Sequence, residues 1–302
     1  MLRLDCFDTI VFTCDNPLKP DNRECVKRLN CSRNIFSPSP VMIVADPFLV
    51  VKNEVLFLFY EEYRHGGRGI IKMTSTEDLV SWTEPQVVLT EKFHLSYPFV
   101  FQYDGQWYMM PETSAAHEIR LYKAVNNKFD QFEYYTTLLA HRPGEARPAM
   151  DYCDSSIINK DDVFYLFTTV NRGEGNELHL YCSDRLDGEY MPHPQSPLIV
   201  SDKYGRNGGT PLEYQGDIYR FAQDCDGQYG KSINIFKVHD LTPKRYQESL
   251  VEKDALTLSG LSAGHQYNFV NFKGRYVVTV DQKFKLPLLG CKVKRLFKKL
   301  MK

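Results

Sequence analysis

The sequence lacks several features that would assign a protein class at once. No apolar run approaches the roughly 18 residues of a membrane-spanning helix. Its eight cysteines form neither a CxxC pair nor a zinc-ligand spacing. A chain of 302 residues buries enough core to need no disulfide framework, so reduced, mostly buried thiols are expected. The histidines show no HxxxH or His–carboxylate zinc spacing, so no zinc site is expected. At the start, MLRLDCFDTIVFTCDNPLKP carries Asp5 and Asp8 where a secretory leader needs a basic start and an apolar centre. A cytoplasmic setting is therefore expected. The glycines of GRNGG at 205–209 do not open a helix, which excludes a phosphate loop. Charge is balanced, at −1 overall, but unevenly placed: residues 283–302 carry +8 and no acid, leaving about −9 on the rest. That body is no general nucleic-acid binder.

What is abundant is aromatic. The 19 Tyr and 19 Phe favour strands, and they fall in a phrase that returns five times. The copies are DPFLVVKNEVLFLFYEE from Asp46, YPFVFQYDGQWYMMPE from Tyr97, DSSIINKDDVFYLFTT from Asp154, GTPLEYQGDIYRFAQD from Gly209 and GHQYNFVNFKGRYVVTVD from Gly264. Each is a strand, a short turn and a second strand. The first four are followed by a further strand pair. The spacing, about 50 to 57 residues, is that of a propeller blade. The fold class read from this pattern is all-β: a five-bladed β-propeller over 41–282, with a C-terminal basic amphipathic helix. The fifth copy stops after one hairpin, so the N-terminal segment 1–40 is expected to complete the last blade, with TIVFT and the adjoining PVMIV as the strands available. In residues 283–302, Leu289, Val293, Leu296, Phe297 and Leu300 form a helical stripe among lysines. Such a tail is expected to rest on an anionic membrane surface.

In a propeller the innermost strand lines the channel, and the second strand returns to the rim where the first began. Fifteen residues after Asp46 stands Glu61, and the same step from Tyr97 reaches Glu112. The corresponding residues in the later copies are Thr169, Asp224 and Asp281. Asp46 and Asp154 add carboxylates at strand starts, with Arg206, Asn207 and His265 close in register. An acidic, mixed-charge pocket at one channel mouth is expected, able to do acid–base work or to hold a divalent cation. Strand-end acids also cap turns and pair with arginines, so each one taken singly has that structural alternative.

The motifs ADPFLV, DSSI and AGHQYNF resemble the blade starts of glycoside hydrolase family 43. That resemblance implies a general base at Asp46, a residue tuning the acid at Asp154 and an axial histidine at His265. The family's general acid, a Glu at the start of the fourth blade, has no counterpart: YGRNGGTPLEY offers Arg206 and Asn207, and Glu213 lies inside the strand. The longer pattern HLSYPFVF, YMMPE, EIRLYKA and FAQD resembles the N-terminal propeller region of glucosamine inositolphosphorylceramide transferases. Together these imply a carbohydrate-active enzyme, either a glycosyltransferase using an activated sugar donor and a glycan or lipid-linked acceptor, or a furanosidase-like hydrolase; a non-catalytic glycan-binding propeller is the third reading. Catalytic candidates are Asp46, Asp154 and Glu112. Substrate-binding candidates are Glu61, His94, Tyr97, Arg206, Asn207, Gln223, Asp224, His265 and Asp281, with Trp107 and Tyr229 as further stacking aromatics and Lys203 as a second cation beside the leaving group.

Overall fold

The computed structural model describes residues 4–287 and 289, other than 21, 35, 142, 143, 145, 147–149 and 259–262. The chain is nearly all β and forms five blades. Blade I takes Val41–Lys52, Val55–Arg64, Gly69–Thr76 and Gln86–Leu89; blade II takes Ser96–Tyr103, Gln106–Glu112, Glu118–Ala124 and Phe132–Ala140. Blade III consists of Met150–Lys160, Val163–Asn171 and Asn176–Ser183 with two short outer strands. In blade IV the inner strand is interrupted into Arg206–Asn207 and Leu212–Tyr214, ahead of Asp217–Asp224, Ser232–Leu241 and Tyr246–Glu252. Blade V joins Tyr267–Phe272 and Arg275–Leu286 to two strands from the other end of the chain, Leu4–Cys14 and Glu24–Leu29.

Leu4–Cys14 pairs antiparallel with the last strand from Leu4↔Leu286 to Cys14↔Tyr276, which closes the ring with hydrogen bonds between the two chain ends. Two boundaries differ from the sequence reading. PVMIV belongs to the first half of blade I's inner strand, which runs from Val41. The last strand continues to Leu286, so Lys283 and Lys285 sit in blade V rather than in a tail. The remainder of the expected basic helix, 290–302, lies outside the described residues.

The aromatic strands bury themselves between blades. Five apolar clusters occupy the five blade–blade contacts, for example Tyr97, Phe99, Met110, Ile157 and Phe164 between blades II and III. A twisted four-stranded sheet has two faces to cover, and a ring of such sheets covers each with the next. The polar ends of the strands are thereby left for the channel mouth.

Candidate functional site

The inner strands of blades I, II and III each break register at the same place. Ala45↔Glu61 is followed by Phe48↔Phe59, Ser96↔Glu112 by Phe99↔Met110, and Cys153↔Thr169 by Ser156↔Phe167. One extra residue on the inner strand at each break makes a β-bulge, which re-aims a side chain. The bulged residues are Asp46, Tyr97 and Asp154, with φ of 50°, 47° and 50°. This left-handed backbone is costly for any residue with a Cβ and is most tolerable for Asp or Asn. Pro47 and Pro98, which have no N–H to offer the ladder, follow the first two; in blade III, Ser155 bonds Thr168 at 2.8 Å instead.

A bulge leaves a backbone N–H without its ladder partner, and each one is taken up by the preceding blade. Asp281 accepts from Asp46 N at 3.3 Å, Asp46 from Tyr97 N at 3.1 Å, Glu112 from Asp154 N at 3.2 Å and Thr169 from Asn207 N at 3.1 Å. The carbonyl of Gly208 accepts from Tyr267 N at 2.7 Å and completes the circuit of blades. The carboxylates at the rim thus have a structural task whatever else they do. Charge-assisted bonds of this kind contribute roughly 1.5–3 kcal/mol each.

Two charge clusters stand on this circuit. At the junction of blades V and I, Nδ1 of His265 lies 2.7 Å from Asp281 and 3.2 Å from Asp46. Burial disfavours the charged imidazole, but Asp281 and Asp46 outweigh it and raise its pKa to about 9. Burial pushes the Asp46 carboxyl well up, against the pull of His265. Among the described residues these three form the one group whose ligand atoms all lie within 4.8 Å of one another. As built, the imidazolium supplies the positive charge between the two carboxylates that a divalent cation would otherwise supply.

The second cluster joins blades III and IV. Arg206 Nε donates to Asp154 at 2.6 Å, Gln223 Nε2 to the same oxygen at 3.1 Å, and Asn207 Nδ2 to the Asp154 carbonyl at 2.9 Å. Burial raises the pKa of Asp154 to about 6, while Arg206 holds it down from going further.

At the open rim, His94 and Tyr229 are respectively 40% and 43% exposed, and Glu112 is partly exposed. Gly69 N donates to His94 Nδ1 at 2.9 Å, so Nε2 carries the proton and faces Glu61 at 3.1 Å. Glu112 receives the Ser114 hydroxyl at 2.9 Å. The Tyr229 ring stands over Arg206 at 5.1 Å and beside His265 at 5.1 Å.

Five sequence expectations are corrected. Tyr97 is fully buried edge-to-face on Phe48, so its ring is core and no sugar platform. Trp107 packs on Phe129. In blade IV the residue equivalent to Asp46 is Asn207 rather than Gly209, and two extra residues in the interrupted strand make the step sixteen, so the rim position is Gln223, opposite Arg206, and not Asp224; Asp224 pairs with Lys231 at 3.0 Å. Asp281, wholly buried, accepts from the His265 and Gln266 backbone N–H groups and serves as a support. Glu213 is exposed beside the hairpin turn at the opposite end of its strand, and Lys203 pairs with Asp226 at 3.2 Å. The sequence reading missed a His117–Asp151–His141 cluster, whose members share no spacing motif.

Comparison with known proteins agrees with this fold. A family model described as "Glucosamine inositolphosphorylceramide transferase 1, N-terminal" matches residues 26–263. The protein named glucosamine inositolphosphorylceramide transferase 1 from Oryza sativa subsp. japonica is 34% identical over 230 residues, which are 73% of this chain but 29% of that protein. The chain therefore spans less than a third of the relative it matches. In fold it is similar to an α-L-arabinofuranosidase of family 43 from Clostridium thermocellum, with a TM-score of 0.57 at 17% identity over 78% of this chain and 80% of that one. A family 117 glycoside hydrolase from Zobellia galactanivorans gives 0.57 at 13% identity, over 93% and 90%.

Proposed function

We propose a glycosyl-transfer role for this chain, which belongs to the family of the N-terminal region of glucosamine inositolphosphorylceramide transferase 1. The observation that carries the reading is Arg206. It stands where a family 43-like site would need a general acid, and it is locked to Asp154 at 2.6 Å. A glycosidase must protonate its leaving oxygen; a sugar bound to phosphate departs without a proton. Asp46 is the group proposed to meet the reacting centre of the sugar, as base or nucleophile. Glu112 orients a hydroxyl and the exposed face of Tyr229 stacks on the ring. With its charge compensated by Asp154, Arg206 acts here by holding that carboxylate, a change from the leaving-group role its sequence position suggested.

The donor is read as an activated sugar and the acceptor as a glycan or lipid-linked saccharide. We place the chain at the cytoplasmic face of a membrane, held there by the basic residues after Leu286. A hydrolase remains as second reading because burial keeps Asp46 towards its protonated form, the state a proton donor needs.

The test is turnover, by mass spectrometry, of nucleotide sugars, sugar phosphates and aryl furanosides with lipid-like acceptors present. Transfer from an activated donor, lost in Asp46→Asn, is expected. Release of aryl alcohol without transfer would replace this reading by the hydrolase. Turnover by Asp46→Asn at the wild-type rate would remove Asp46 from the chemistry.

A further inference from the structure

At the end of the strands away from the channel mouth, blades II and III enclose a cavity of about 520 Å³. The strand Ser96–Tyr103 begins at the rim, where Ser96 pairs with Glu112, and ends at a turn, where Tyr103 pairs with Gln106. At about 3.3 Å per residue its two ends stand roughly 20 Å apart, so the cavity is far from the rim carboxylates. Blade II supplies one wall from this hairpin and from Lys123 and Tyr135. Blade III supplies the other from the loop after Asn176–Ser183, with Arg185, Leu186 and Asp187.

Three tyrosines line the cavity: Tyr103, Tyr108 and Tyr135. Tyr103 and Tyr135 remain 40% and 41% exposed. Each ring is braced from behind. Tyr103 stands edge-on to Phe164 of blade III at 4.9 Å, and Tyr108 lies 5.8 Å from both Phe101 and Tyr135. The Tyr135 hydroxyl donates to Asp187 at 3.1 Å, and Asp187 accepts from Arg185 Nη2 at 2.9 Å. Rings fixed in advance lose little freedom when a ligand arrives. Beside them, Lys123 is exposed and pairs with no carboxylate among the described residues; its ammonium stands 5.7 Å from the Tyr135 ring. Asp104 adds an exposed carboxylate from the turn.

This composition selects the ligand. Lys123 and Arg185 balance Asp104 and Asp187, so no net charge recruits a phosphate or a polyanion. Leu186 is the one aliphatic side chain in the lining, so a lipid tail finds no apolar wall. Tyrosine faces cover the C–H face of a sugar ring, while an ammonium donates to its hydroxyls and a carboxylate accepts from them. We infer that this cleft is a carbohydrate site separate from the channel mouth, holding an uncharged oligosaccharide by stacking on Tyr103 and Tyr135 and by hydroxyl bonds to Lys123 and Asp104. It is independent of the reaction assigned to the mouth. A purely structural contact would brace blade II on blade III and bind nothing.

The test is calorimetric titration of the full chain with neutral hexasaccharides of xylose, arabinose, mannose and glucose, and with hexagalacturonate as the charged probe. At least one neutral member should bind with a Kd of about 1 mM or below. Tyr103→Ala and Tyr135→Ala should each weaken that binding by about tenfold or more, as expected of aromatic anchors. Lys123→Gln combined with Asp104→Asn should also weaken it by about tenfold, and this variant changes only exposed side chains, with Asn suited to the left-handed backbone at 104. Tyr229→Ala, at the channel mouth, should leave this binding as it is. Binding lost in Tyr229→Ala but kept in Tyr103→Ala and in the double variant would put the sugar at the mouth and overturn the inference. So would the absence of binding by every neutral member, or a preference for hexagalacturonate over all of them.

Discussion

The two sides of the propeller mouth use the same residue types to opposite ends. At the V–I junction, Asp46, His265 and Asp281 are packed to 7%, 4% and 0% exposure. At the II–III junction an equally buried Asp151 contacts a histidine, His117, that remains 42% exposed. A sealed cluster has its energy tied up in mutual neutralisation, and removing one member leaves a buried charge unpaired. An open one has an end available to a ligand. Carboxylate and imidazole side chains at a rim therefore do not by themselves mark the chemistry; within the sealed cluster Asp46 is the most exposed member, and the proposed chemistry rests on that residual opening. The same contrast holds on the other side of Asp154, where Arg206 is buried and Glu112 is partly open.

The sharpest way to break the contrast is to open a sealed pair. Arg206→Met leaves Asp154 buried without its cation and should cost about 3–5 kcal/mol in denaturant unfolding. Replacing both, as Arg206→Met with Asp154→Leu, should recover most of that loss, since an apolar pair is often as stable as a buried ionic one. A silent Arg206→Met would mean that solvent reaches Asp154 and that the pair is not sealed.

The next effect is one of pH. Asp281 and Asp46 raise the pKa of His265 to about 9, above the ordinary histidine value of 6.5. Its protonation therefore stabilises the fold fully below pH 6.5, and that contribution is lost as pH rises through 9. Thermal melts of wild type and His265→Asn should differ most near pH 6 and converge by about pH 10. A gap that stays constant across this window would show that His265 is neutral between its two carboxylates.

Much of this architecture is legible in the sequence because it is periodic. Five aromatic hairpin phrases at blade spacing specify five sheets, and the truncated last phrase requires strands from the other chain end. Asp46, Asp154 and His265 were legible through their motifs. What the pattern hid is register. A uniform fifteen-residue step holds only where the inner strand carries one bulge; in blade IV, with two extra residues, the step from Asn207 is sixteen and reaches Gln223, whereas fifteen residues from Gly209 lands on Asp224. The bulge also turns Tyr97 into the core while the homologous Asp46 and Asp154 reach the charge clusters. His117, His141 and Asp151 were invisible for another reason: only the packing of blade II on blade III brings them together.

Glu112 is where the contrast can be made finest, because it belongs to both kinds. One oxygen accepts the bulged N–H of Asp154 and the other the Ser114 hydroxyl, yet the side chain is partly exposed. Glu112→Gln keeps the shape and one acceptor oxygen. If the carboxylate is chiefly a cap for the next blade, unfolding should lose about 1–3 kcal/mol from the weakened, partly unsatisfied contacts. If its open face orients a sugar hydroxyl, stability should change by less than about 1 kcal/mol while transfer falls about tenfold, the worth of one well-placed hydrogen bond in the transition state. The second outcome is expected, because the Asp154 N–H can still be met by the amide oxygen whereas a charged acceptor facing the channel cannot be replaced. Paired melts and single-donor kinetics on this one variant decide it: a loss of stability as large as that of Arg206→Met, with transfer intact per folded molecule, would move Glu112 from the working rim into the sealed frame.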